Sequence, residues 1–337
     1  MRITSLLLFI TLFYQSISVG QTFVPLSTGS KSSFRGLETF QNKVIWVSGS
    51  AGTVGKSLDA GKTWQWVSPK GYEKFDFRDI EVFSKQEVVI VSAGSPAVIL
   101  HSKDGGQQWK EVYRNEHPAI FLDGMDFQGK IGYVLGDPID GAFQLLESKD
   151  KGRTWKDVTE EITLFAEPGE AAFAASGTSI QLLKNNVYIG SGGKHASLFK
   201  RNKKENKLDI VDVPIQKGGP GTGIFSIDFL NERVGVVVGG NYEEDQDNSN
   251  NIYLTKNAGL SWDKPDKPVS GYRSCVKYIN ANTLIATGTS GTDISVDAGV
   301  TWKNISKESF NVIAKSANAA FIYLAGSNGN IVQLILN

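Results

Sequence analysis

The sequence predicts an all-β protein, a seven-bladed β-propeller, on three observations: a recurring octapeptide, a repeat period of 40 to 46 residues, and an inner-strand pattern that returns with each period. The octapeptide reads Ser-x-Asp-x-Gly-x-Thr-Trp. It stands at Ser57–Trp64, Ser148–Trp155 and Ser295–Trp302, with Gln108 in place of Thr at Ser102–Trp109 and a looser copy at Thr255–Trp262. Asp59, Asp104, Asp150, Asn257 and Asp297 hold the third position. An Asp or Asn there folds its side chain back onto turn amides, Gly takes the positive φ of the reversal, and Trp opens the next strand against the turn. These five residues are therefore structural.

The Trp spacing sets the count. Trp64 to Trp109 is 45 residues, Trp109 to Trp155 is 46, Trp262 to Trp302 is 40, and the 107 between Trp155 and Trp262 hold two units. Inner strands align as Phe34–Phe40, Phe77–Phe83, Phe121–Phe127, Gly223–Phe229 and Tyr272–Tyr278. A less regular fourth unit begins near Phe173, with the basic hairpin Lys200–Lys207 where its octapeptide would be. The last unit runs from Phe310 with room for three strands. Thr22–Leu26 supplies the fourth, closing the ring and covering its edges.

The 337 residues thus form one repeat domain over 21–337 rather than two domains. Arg2, the apolar run Leu6–Phe13 and the small residues Ser18 to Gly20 read as a cleaved signal peptide over 1–20. The run is too short to span a bilayer, so no integral membrane segment is expected in the mature chain, which is placed as secreted or periplasmic. Lys plus Arg and Asp plus Glu are 35 each, which leaves no global field favouring nucleic acid. Cys275 is the sole cysteine and is expected as a buried apolar residue. No metal or cofactor motif is present: the three His lack ligand spacing, and Gly218–Gly223 lacks the Lys-Ser/Thr of a phosphate loop.

The octapeptide is the Asp box of the bacterial neuraminidase repeat. A fuller likeness lies in Ser33-Phe-Arg-Gly-Leu37, Val44–Gly49, Asp76-Phe-Arg-Asp-Ile80, Pro168–Gly177, Gly223–Ser226 and Gly271-Tyr-Arg-Ser274, which resemble the photosystem II stability and assembly factor family across nearly the whole mature chain. The resemblance implies a secreted seven-bladed propeller without an assigned reaction. It does not carry over a photosynthetic role, because a propeller scaffold leaves its partner open.

Propeller geometry brings the starts of the inner strands and one set of loops to a single axial mouth, opposite the Asp boxes. Arg35, Arg78 and Arg273 share an inner-strand position in units one, two and six, and three converging guanidiniums would bind a carboxylate or phosphate. Asp79, Asp123, Asp137, Glu170, Lys194, His195 and Tyr242 are placed around the same mouth. The competing reading pairs each Arg with an Asp such as Asp79 or Asp123 to hold blades in register.

Two functions follow from these placements. One is a binding or assembly propeller whose arginine mouth takes an anionic small molecule, glycan or protein. The other is a sialidase-like glycoside hydrolase, with Phe34-Arg-Gly-Leu37 resembling the Phe-Arg-Ile-Pro motif and Asp123, Glu170 and Tyr242 as candidate catalytic groups. Gly-Leu stands where the motif has Ile-Pro, and seven units stand where sialidases have six.

Overall fold

The computed structural model describes residues 20–26 and 28–336; the leader predicted over 1–20 lies, but for Gly20, outside them. Seven antiparallel sheets stand in a ring. Their inner strands are Phe34–Phe40, Asp76–Val82, Leu122–Gln128, Ile180–Leu182, Thr222–Phe229, Cys275–Tyr278 and Val312–Lys315. Each packs against the inner strand of the next blade, and the seventh returns to the first. Closure is made as expected: Gln21–Pro25 pairs with Ile331–Leu336, Gln21 opposite Leu336 and Pro25 opposite Val332. No helix among the described residues is long and apolar enough to cross a membrane.

The core lies between blades rather than at a centre. One cluster joins Trp46, Val54 and Ile80, Val88 across blades one and two; another joins Leu135, Phe143 and Ile180, Phe199 across blades three and four. Strand alternation produces this arrangement, because each sheet turns one apolar face to each neighbour.

The Asp boxes fold as their residue types require. In the last of them Ser295 Oγ donates to Asp297 Oδ1 at 2.7 Å, the Thr301 amide to the same oxygen at 2.9 Å, and Thr301 Oγ1 to Oδ2 at 2.6 Å. Ala298 and Gly299 take φ of 61° and 93°, and a Cβ on Gly299 would come within 2.7 Å of Leu254 of the preceding blade. The equivalent bonds in the first box, chiefly from the Thr63 amide and hydroxyl, favour the ionised side chain and press the Asp59 carboxyl down to about 2. Asp297→Ala is expected to cost about 1 kcal/mol of stability, the usual net value of such bonds, as a fall in the denaturant midpoint.

Two units depart from the simple pattern. The segment from Phe173 to Thr178 runs to the axis before the fourth blade, whose inner strand begins only at Ile180. The fifth blade gains Glu170–Ala171 and Gly192–Gly193 as extra strands, while its outer edge shrinks to a single bridge between Leu254 and Asp263.

Candidate functional site

Two cavities of opposite character occupy the axis. At the mouth a cavity of about 290 Å³ is lined by Arg35, Arg78, Phe173, Phe225, Tyr242 and Tyr272 together with Ser274, Thr289 and Asn311, and by no carboxylate. Toward the Asp-box end a second, of about 360 Å³, is lined by Glu38, Asp79, Glu81, Asp126 and Asp228 with Lys277 and Lys315.

The guanidiniums of the mouth come from adjacent blades. Arg35 reaches across the axis, its Nη1 donating to the Ala175 carbonyl at 3.0 Å, and no carboxylate among the described residues lies within ion-pair distance of it. Burial lowers its pKa, and the nearby Arg78 lowers it further. Arg78 is held by one carboxylate, Nε to Asp76 at 2.8 Å, and lies 5.6 Å from the Phe121 ring. The opposite wall is aromatic. Phe173 stacks on Phe225 with centroids 3.8 Å apart, Tyr272 meets Phe225 edge-on at 4.7 Å, and Tyr242 stands 6.1 Å from Phe225 at the rim, 48% exposed.

Other predicted mouth residues are placed differently, for identifiable reasons. Arg273 turns away from the axis into its own blade and is fully buried. There its Nε and Nη2 bind Asp293, and its Nη1 binds the Tyr272 carbonyl at 2.6 Å and Ser290 Oγ at 2.7 Å. The mouth therefore has two arginines, not three. Asp79 belongs to the second cavity, where it accepts the Met125 amide at 2.7 Å. Glu170 is buried and bound by Ser191 Oγ and the Glu167 amide, which fixes the loop carrying the exposed Lys194 and His195. Asp137 accepts the Ala172 amide at 2.9 Å. Asp123 is 1% exposed and neither carboxyl oxygen has a hydrogen-bond partner; burial pushes its pKa well up, Asp137 adds to this, and Arg78 opposes it. Tyr242 alone of the three candidate catalytic residues lines the mouth cavity.

The acidic residues of the second cavity do the work assigned to the competing reading of the arginines. Asp79 takes an amide of blade three, Asp126 takes the Leu182 amide of blade four at 2.5 Å, Gln181 takes the Phe229 amide of blade five at 2.6 Å, and Asp228 takes the Tyr278 amide of blade six at 2.5 Å. Lys315 then donates to the Tyr278 carbonyl, Thr39 to the Lys315 carbonyl at 2.8 Å, and Ser48 to the Asp79 carbonyl at 3.4 Å. Every blade-to-blade junction is crossed. Sequence reading missed these clamps although a signal existed: Asp126 and Asp228 each precede the last Phe of an aligned inner strand. It also missed Phe173 and Phe225 as mouth residues, and with them the loop Glu243–Ser249 that follows Tyr242. That loop is tied to blade six by the Tyr272 amide on the Asp245 carbonyl and by Thr289 Oγ1 on the Asp245 carboxylate.

These features define a seven-bladed Asp-box propeller with a cationic, aromatic-walled axial mouth. More particularly, it is a propeller similar to the photosystem II assembly factor: the family model described as photosynthesis system II assembly factor YCF48 matches residues 26–119 and 78–191. Among solved structures, one described as YCF48 bound to D1 peptide is 13% identical over 96% of this chain and 98% of its own, with a TM-score of 0.66. YCF48 from Cyanidioschyzon merolae is 16% identical over 92% and 98%, with a TM-score of 0.67. The WD40 propeller domain of Doa1 follows at 0.65 and 11% identity, so these likenesses establish the fold. No curated protein sequence matches the chain.

Proposed function

We propose that this protein is an extracytoplasmic binding or assembly propeller that captures a protein partner by an anionic group at the axial mouth. The observation that carries the reading is Arg35, a desolvated guanidinium facing a cavity lined by no carboxylate and spending one N–H on a neutral carbonyl. A half-buried cation in that state gains from an anion that brings charge-assisted hydrogen bonds. The family match, together with the D1 peptide bound to a similar propeller, favours a protein partner over a free metabolite. The leader pattern of residues 1–20 supports export.

The test is capture of partners from the extracytoplasmic fraction by the wild type and by the Arg35→Ala, Arg78→Ala double variant. Binding of the captured partner is expected to weaken at least tenfold in the double variant, with the thermal midpoint nearly unchanged and a shallower salt dependence. Equal binding by both proteins places the partner site elsewhere. Turnover of sialosides or aryl glycosides that disappears on Tyr242→Phe would replace the binding reading by the hydrolase one.

A further inference from the structure

The lining of the mouth specifies more than negative charge. Resting on the reading of the mouth as an anion site, we infer that its occupant is the carboxy-terminal residue of a polypeptide, with a free α-carboxylate and an aromatic or large aliphatic side chain. The carboxylate meets Arg35 and Arg78, and the side chain lies against Phe173, Phe225 and Tyr272.

Four features lead there. First, the charged groups with unused capacity are donors: the remaining N–H groups of Arg35 and Arg78, joined by the Tyr272 hydroxyl, which has no hydrogen-bond partner among the described residues although its ring is 3% exposed. The Asn311 Nδ2 and Thr289 hydroxyl donors are already committed, to the Phe34 carbonyl and to Asp245. An occupant must therefore accept hydrogen bonds, as a carboxylate does on two oxygens.

Second, the wall facing the guanidiniums is a packed aromatic face, Phe173 on Phe225 with Tyr272 edge-on. A bare phosphate, or the short side chain of an internal Asp or Glu, leaves that face unfilled. An apolar side chain next to the carboxylate covers it and removes it from water.

Third, no carboxylate lines the cavity. A free amino acid would bring an α-ammonium into the field of two guanidiniums with nothing to receive it. In a chain end that nitrogen is a neutral amide. Fourth, about 290 Å³ lies at the bottom of the usual range for ligand clefts, roughly 300 to 1,000 Å³, which suits one terminal residue. The chain leaving it passes the half-exposed Tyr242 at the rim.

The experiment is titration calorimetry of the full propeller with acetyl-Ala-Ala-Phe, its carboxy-terminal amide, acetyl-Ala-Glu-Ala-amide, free phenylalanine, phenylacetate and inorganic phosphate. The free-acid peptide is expected to bind at least tenfold more tightly than its amide, than the internal-Glu peptide and than free phenylalanine, and at least fivefold more tightly than phenylacetate. Arg35→Ala should remove this binding, and Tyr272→Phe, which keeps the ring and its packing, should weaken it three- to tenfold. Equal binding of the acid and the amide overturns the inference, and so does phenylacetate matching the peptide. If the internal-Glu peptide or phosphate binds best and is lost in Arg35→Ala, the chain-end assignment fails while the anion mouth stands. If no probe binds, both fail. The comparison among probes needs only the wild-type protein, so it decides the matter even where a variant does not fold.

Discussion

Asp293→Ala is expected to destabilise the propeller by about 3–5 kcal/mol, the usual cost of leaving a buried charge without its partner. Arg273 and Asp293 are both 0% exposed. The carboxylate holds the guanidinium by two N–H groups and is itself held by Ser270, through its amide at 3.1 Å and its hydroxyl at 2.7 Å. Truncation leaves the guanidinium with only the Tyr272 carbonyl and Ser290 Oγ. Replacing both partners, Arg273→Met with Asp293→Leu, is expected to recover most of the loss, because no charge is then stranded. Chemical denaturation of the two variants measures the difference. A single variant within 1 kcal/mol of wild type would mean that water reaches this pair. The double variant should also retain ligand binding at the mouth, which would separate Arg273 from Arg35 and Arg78 functionally as the structure separates them spatially.

That separation shows where sequence reading stops. The repeat was legible because each Asp box carries its own geometry: Ser, Asp, Gly and Thr bond within eight residues, so the pattern is local and survives translation into structure. Closure by residues 22–26 was legible from counting strands in a truncated last unit. The direction of an inner-strand side chain was not. Arg35, Arg78 and Arg273 follow an aromatic residue in three aligned strands, yet two face the axis and one faces its own sheet. What distinguishes Arg273 is Asp293, twenty residues away on another strand, and no spacing rule links the two. Asp79 was misplaced for the same reason, since its receptor is the amide of Met125 in the next blade. The aromatic wall was hidden because Phe173 lies in a segment that departs from the repeat and aligns with no inner strand.

The stability of the folded ring is expected to fall as pH rises from about 5 to 9, the reverse of a protein held by ionised surface carboxylates. Burial pushes Asp126 up to about 6, Glu38 to about 7 and Asp79 to about 8, against ordinary values of 3.8 for Asp and 4.5 for Glu. The amides each accepts pull the other way without cancelling the effect. A carboxyl that holds its proton more tightly folded than unfolded contributes stability that is complete below its unfolded pKa and is lost as pH rises through its folded pKa. Each unit of difference is about 1.4 kcal/mol for an isolated buried group; the three share one cluster and Glu38 and Asp126 are part-exposed to the channel, so the fall is on the order of 1 kcal/mol or more, steepest between about 6 and 8. His101 and the lowered carboxyls of the Asp boxes act in the opposite sense at lower pH. Burial depresses His101, which penalises folding only below its ordinary 6.5, and Asp59, held near 2, loses its contribution as pH falls below about 4. Maximum stability should therefore lie on the acid side of neutrality. Thermal midpoints measured from pH 4 to 9 test this, and Asp79→Asn, which removes the group titrating highest of the three, should flatten the curve above about 7. A wild-type midpoint that stays level from pH 5 to 9 would show that the channel carboxylates are hydrated and ionised, and the interblade clamps would then be charged acceptors throughout that range.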